Sequence, residues 1–212
     1  MKIIDLSHLI TPDMPVYPGT DPPLFDEPTT IENNGFLEKK ITLFSHTGTH
    51  IDAPAHILKN SKTLDQMDIS QFIGKGCVLD ISEMDRMVIK KKHLQTYQRK
   101  IESSQFVLLY SGWSGYWGGK RYFYDYPVLD DEAALWLTSF ELKGIGIDMI
   151  SFDVIGSNDF KIHKILLGRG FLQIENLTNL ESLISQNFLF SCLPLKISSA
   201  DGSPVRAIAI LS

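Results

Sequence analysis

One eleven-residue stretch, His46-Thr-Gly-Thr-His-Ile-Asp-Ala-Pro-Ala-His56, constrains this chain more than any other. Gly48 and Pro54 both oppose a helix, the first through backbone entropy and the second through its missing amide hydrogen. The stretch is therefore expected to be extended, with alternate side chains sharing a face. His46, His50, Asp52 and His56 all fall on even positions, so they would line one face with Gly48 and Pro54. Thr47, Thr49, Ile51, Ala53 and Ala55 would occupy the other, which is small and apolar enough to pack inward. Four metal-ligating or proton-carrying groups thus cluster in a chain that has only six histidines.

Strand geometry makes this sharper. His50 and Asp52 would lie roughly 6.6 Å apart along a strand, close enough to converge on one cation. His46 and His50 would be about 13 Å apart in a straight strand, at roughly 3.3 Å per residue. Zn–N bonds are only about 2.0–2.1 Å long, so both rings reach one metal only if the chain bends at Thr47-Gly48-Thr49. Glycine permits such a bend at little steric cost. A single histidine in a strand is ordinarily just a satisfied polar residue. The joint pattern reads differently, because buried charge and imidazole are costly without a partner.

The remaining composition excludes several classes of function. With 212 residues, 43% hydrophobic and 21% charged, the chain reads as one domain over 1–212 with a substantial core. The net charge is −5, and basic residues are scattered apart from Lys90-Lys91-Lys92. That run, with His93, reads as an exposed helix face, and no nucleic-acid footprint is expected. The N-terminus lacks the long apolar core of a secretory leader, and no apolar run approaches the roughly 20 residues of a membrane span. No membrane association and a cytoplasmic location are therefore expected. Cys77 and Cys192 sit far apart in apolar surroundings and read as reduced packing residues.

Along the chain, strands are expected over 2–9, 36–45, 76–82, 105–110, 146–150, 171–175, 188–197 and 205–211. A short helical turn or loop is expected over 68–72, and helical segments over 88–99, 130–140 and 178–186. A further helix should end near Leu167, capped by Ser157 or Asn158 and terminated by Gly168. Interleaved strands and helices indicate an α/β protein with a mixed sheet. Ser111 to Gly119 is a glycine- and aromatic-rich loop. His163 and Glu175 flank the turn Gly168-Arg169-Gly170, and a helix-turn-strand hairpin of that length can bring its ends together. Taken alone, the pair reads better as a surface histidine and a capping glutamate. Beside His46, His50 and Asp52 it would complete two metal shells with one carboxylate bridging.

The chain resembles the bacterial cyclase family that includes the metal-dependent kynurenine formamidases, or arylformamidases. The matching residues are His46-Thr-Gly-Thr-His-Ile-Asp-Ala-Pro-Ala-His56, Asp5-Leu-Ser-His8, Met14-Pro-Val-Tyr-Pro-Gly19, Gly112-Trp-Ser-Gly-Tyr-Trp-Gly118, Gly146-Ile-Asp148 and His163 with Glu175-Asn-Leu177. They are spread in order along nearly the whole chain. The resemblance implies a swivelling β/β/α domain and metal ligation by His46, His50, Asp52, His163 and Glu175. It implies a general acid/base role for His56, and homodimers or higher homo-oligomers in which N-terminal loops help close the partner's site. Tyr17, in that loop, would be an aromatic wall for the substrate.

The expected chemistry is hydrolysis of a formamide or related non-peptide C–N bond in a small, aromatic amide. One or two divalent cations would activate water and polarise the carbonyl, and His56 would move a proton to the leaving nitrogen. A mixed N/O donor set suits Zn²⁺, with Mn²⁺ also suitable. Trp113, Tyr116, Trp117, Tyr122, Phe123 and Tyr124 offer either an aryl-stacking surface or a packed loop. Arg121 and Lys120 offer a partner for a substrate carboxylate, and Asp148 and Asp153 either orient ligand histidines or cap structure. Two further readings stand beside the formamidase: a hydrolase opening a cyclic amide or lactone, and an inactive metal-binding dimer.

Overall fold

The computed structural model of the chain describes residues 1–83 and 87–211. Its strands in chain order are β1 (Lys2–Asp5), β2 (Leu24–Thr29), β3 (Glu38–Thr42), β4 (His50–Asp52), β5 (Ile73–Asp80), β6 (Val88–Ile89) and β7 (Phe106–Tyr110). They continue as β8 (Val128–Leu129), β9 (Gly144–Ile147), β10 (Leu172–Glu175), β11 (Phe188–Ser191), β12 (Gly202–Pro204) and β13 (Ile208–Leu211). The α-helices are α1 (Ile31–Asn34), α2 (Lys91–Leu94), α3 (Gln98–Glu102), α4 (Asp131–Leu137) and α5 (Lys161–Leu167). Nine strands form one mixed sheet in the order β1-β13-β11-β5-β7-β9-β10-β4-β12, which makes this the expected α/β protein.

The parallel centre of the sheet, β5-β7-β9-β10, is buried on both faces, as near-continuous apolar runs require. Alternation along β7 shows how the two core layers are divided. Val107 and Leu109 pack with Leu79, Ile145 and the helices, while Phe106 and Leu108 pack on the opposite face with Val78, Leu172 and Phe190. All four β7 side chains are fully buried, and each contributes about 1.5–3 kcal/mol of transfer free energy. Cys77 and Cys192 are buried and unpaired, as their apolar neighbours suggest.

Several local expectations are corrected. The segment 88–99 is not one helix: the β-branched pair Val88–Ile89 joins β8 in a short parallel pair, and helix begins only at Lys91. The C-terminal part of the chain contains an additional strand, β12, which pairs with β4. Helix α5 is capped by neither Ser157 nor Asn158. Instead Asp153 accepts hydrogen bonds from the amides of Ile162 (3.0 Å) and His163 (3.0 Å). The hairpin β2–β3 stands outside the main sheet and exposes Leu24, Ile31, Phe36, Leu37 and Ile41. Among the described residues, no helix is long and apolar enough to cross a membrane.

Candidate active site

Three strands build the floor of the site. On β4, Ile51 turns into the core and pairs with Ile174, while His50 and Asp52 turn to the other face. Glu175 of β10 lies directly opposite His50, and Gly202 of β12 lies directly opposite Asp52. The alternation expected from the sequence therefore accounts for His50 and Asp52. It does not account for His46 or His56, since only His50–Asp52 is a strand. His46 lies on the preceding turn, and Pro54 opens a 3-10 turn that carries His56. Proline is suited to that first position, where its missing N–H costs nothing.

The bend required at Gly48 is present. Its φ is +63°, and a Cβ there would come within 3.3 Å of Ile10. The bend folds His46 back so that its Nδ1 lies 2.7 Å from Asp52 Oδ1. The His46 and His50 rings meet edge to face with centroids 5.1 Å apart. His56 lies over His46 with centroids 3.9 Å apart. His163 joins from α5, with Nε2 3.3 Å from Glu175 Oε1 and 4.0 Å from Asp52 Oδ2. Glu175 Oε2 lies 3.4 Å from His50 Nε2. All six expected metal and proton-carrying residues thus occupy one neighbourhood.

Hydrogen bonds fix which nitrogen each histidine presents. His50 Nδ1 lies 2.7 Å from the Gly48 carbonyl, an obligate acceptor, so Nδ1 carries the proton and the Nε2 lone pair faces Asp52 and Glu175. His163 Nδ1 donates to Asp153 Oδ2 at 2.6 Å, leaving Nε2 toward the same two carboxylates. Asp153 therefore does both things its position allowed, capping α5 and orienting His163. Asp148 does not face the histidines. It accepts from the amide and hydroxyl of Ser111, and burial raises its carboxyl to about 6.

The site's electrostatics follow from four carboxylates close to imidazoles. Burial alone would depress His46, but Asp52 and Asp201 override it and hold the ring at about 10. Burial opposes the same result at His163, where Asp153 and Glu175 win and hold it at about 10. Burial tends to raise the Asp52 and Glu175 carboxyls, yet the surrounding histidines keep both below the ordinary range. His56 is the exception. Burial dominates there, and its ring titrates below the usual imidazole value.

These residues suit a divalent cation. Their donor atoms form two groups, His46–Asp52–His56 and His50–Asp52–Glu175, each lying within 4.8 Å and sharing Asp52. Asp52 is nearly inaccessible, and its Oδ2 has no hydrogen-bond partner among the described residues. A buried carboxylate oxygen without a donor is costly unless a cation meets it. The donors are imidazole and carboxylate without thiolate, a set suited to Zn²⁺ or Mn²⁺.

A cavity of about 340 Å³ opens above this cluster. His46, His50, His56, His163 and Glu175 line its base, and Tyr17, Phe44 and Phe160 supply aromatic walls. Tyr17 thus lines the cavity of its own chain. The aromatic loop does not reach it. Tyr122 is fully buried, Trp113 nearly so, and Tyr116 and Trp117 pack against the same core. Arg121 stacks 4.3 Å over Tyr116 and borders a different depression, so it is not placed to meet a ligand in the cavity. Phe123 packs there too, so of the loop's aromatics Tyr124 alone is exposed, and it does not line the cavity.

Sequence reasoning missed three contributors. Asp201 accepts from Ser45 Oγ at 3.0 Å, meets His46 Nε2 at 2.9 Å and approaches His56 Nδ1 at 3.5 Å. Phe160, held at φ +46°, packs edge-on to His163. Asn176 anchors the Gly48 turn. Asp201 carries no local motif, and only its place beside β12 gives it meaning.

Similarity to known proteins agrees with this geometry. A kynurenine formamidase from Bacillus cytotoxicus is 31% identical over 206 residues, covering 97% of this chain and 95% of its own. An uncharacterised protein from Methanocaldococcus jannaschii is 35% identical over 215 residues, covering both chains fully. Among solved structures, isatin hydrolase A from Ralstonia solanacearum superposes with a TM-score of 0.89 at 23% identity, covering 100% of this chain and 92% of its own. A structure described as a potential metal-dependent hydrolase with cyclase activity gives 0.82 at 26% identity, covering 98% and 96%. The family model "Putative cyclase" matches residues 4–154, which include the histidine motif and β4, and the chain belongs to that cyclase family.

Proposed function

We propose that this chain is a divalent-metal-dependent hydrolase of non-peptide C–N bonds, acting on an aryl formamide of the N-formylkynurenine type. The observation that carries this reading is the pair of donor groups sharing Asp52 beneath an aromatic-walled cavity. Relatives that are kynurenine formamidases over nearly the whole chain length support the substrate class.

His46, His50, Asp52, His163 and Glu175 would hold one or two cations, Zn²⁺ first and Mn²⁺ next. A bound cation supplies a water of lowered pKa and polarises the formyl carbonyl. His50 and His163 present Nε2 because Gly48 and Asp153 hold the opposite nitrogens. His56, depressed by burial, is neutral near pH 7 and free to take up a proton. Asp201 lies toward its Nδ1, which leaves Nε2 to deliver that proton to the departing aryl nitrogen. Tyr17, Phe44 and Phe160 would exclude water and seat the ring. The apolar side chains exposed on β2–β3 support assembly with a second copy of the chain, because an isolated two-stranded hairpin is marginal in water.

The reading is tested by a substrate panel after chelation and re-addition of Zn²⁺ or Mn²⁺. N-formylkynurenine and simple formanilides should release formate and arylamine, and chelator should abolish the reaction. Preferential opening of isatin-like lactams or small lactones would move the substrate class to cyclic amides or esters. Purified protein without divalent metal, indifferent to EDTA, would overturn the proposal.

A further inference from the structure

Tyr122 lies beneath the site, not in it, and is among the largest fully buried side chains. Its ring sits edge-on to Trp117, with centroids 5.1 Å apart. Its hydroxyl donates to Asn176 Oδ1 at 2.6 Å. With the oxygen of the Asn176 amide so engaged, the nitrogen must face the other way, and Nδ2 donates to the Gly48 carbonyl at 2.8 Å. That carbonyl is the one that accepts from His50 Nδ1. The Asn176 backbone holds the next residue too, since its carbonyl accepts from Thr49 Oγ1 at 2.5 Å. Asn176 itself has φ +58°, a conformation that asparagine tolerates better than most residues.

We infer that Tyr122 and Asn176 are positioning residues for the metal centre, acting through the Gly48 carbonyl to lock His50 with Nε2 toward Asp52 and Glu175. Asn176, Gly48 and His50 border the cavity, but Tyr122 is fully buried and lines no part of it, so water has no ready route to replace its hydroxyl. The Tyr122 hydroxyl is hydrogen-bonded to the centre through Asn176. Without the phenol, the amide keeps its shape but loses the donor that distinguishes its two ends. A buried oxygen is then left unpaired, and the Gly48 turn is held less firmly. Groups behind a metal-binding histidine commonly change metal affinity by about 10–100-fold.

This inference rests on the metal-binding reading above, and the experiment separates the two. Zn²⁺ and Mn²⁺ affinities are measured by chelator competition on wild type, Tyr122→Phe, Asn176→Gly and the double variant, with thermal melts of each metal-free protein. Glycine adopts φ near +58° without strain, so Asn176→Gly removes the amide and leaves the backbone free to follow its path. Tyr122→Phe should weaken affinity on the order of tenfold, and Asn176→Gly by at least as much. The double variant should be no weaker than Asn176→Gly, because Tyr122 acts through the amide. Wild-type affinity in Tyr122→Phe, or a lowered melting temperature with unchanged affinity, would overturn the relay while leaving the metal site standing. Independent, multiplicative losses in the double variant would overturn it as well. Failure of wild type to bind either ion would remove both readings together.

Discussion

The Gly202→Ala substitution tests whether the position of His46 matters to the site. Gly202 has an ordinary backbone conformation and is buried on β12 opposite Asp52, so alanine fits the strand itself. The added Cβ would stand 2.5 Å from His46 Cε1, 2.7 Å from Nε2 and 3.0 Å from Nδ1. Ordinary contact begins at 3.4 Å, so the ring must retreat by about 0.9 Å. Such a displacement breaks the 2.7 Å contact with Asp52 and the 2.9 Å contact with Asp201. It leaves the His50–Asp52–Glu175 group on its own strands. A misplacement of about 1 Å costs on the order of 10²-fold in rate where geometry is catalytic. The expected outcome is therefore a fall in kcat/KM near that size with little loss of thermal stability. Metal content should fall at the His46 group and survive at the other, as read by elemental analysis of the dialysed protein. Wild-type kinetics and metal content would refute the assignment of His46 to the working centre.

Three further outcomes are expected. His56→Ala should lose formamide hydrolysis while retaining metal at the His50–Asp52–Glu175 group, and retained activity would end the proton-carrier role. Asp153→Asn should weaken cation binding by about 10–100-fold through His163, measured by chelator competition; unchanged affinity would leave Asp153 as a helix cap only. Filling the site should also expel protons. His46 and His163 are held at about 10, so both are protonated in the metal-free protein at pH 7.5. The metal-free state then binds more protons than the loaded one, and apparent cation affinity must rise with pH through the range from about 7 to 9. Titration calorimetry in phosphate and in Tris would detect the released protons as buffer-dependent heat, and identical heats would refute the linkage.

What the sequence determined alone is the part governed by local backbone geometry. Side-chain alternation put His50 and Asp52 on one face and Ile51 on the other, and the distance from His46 demanded the bend that Gly48 makes. Apolar runs likewise marked β5 and β7 as buried strands. The His163–Glu175 pair was ambiguous until β10 was seen beside β4, since nothing in a short helix-turn-strand hairpin says which strand it will join. Only the tertiary structure decided that β12 would flank β4 and deliver Asp201 to a histidine 155 residues away. It also turned the aromatic loop inward, converting a possible substrate platform into core and leaving Tyr122 behind Asn176. Strand order is set by which apolar faces can be buried together across the whole chain, a balance that no local run of residues contains. The metal-binding motif was legible because its ligands lie within one bend, whereas the residues that hold it in place converge only once the sheet has closed.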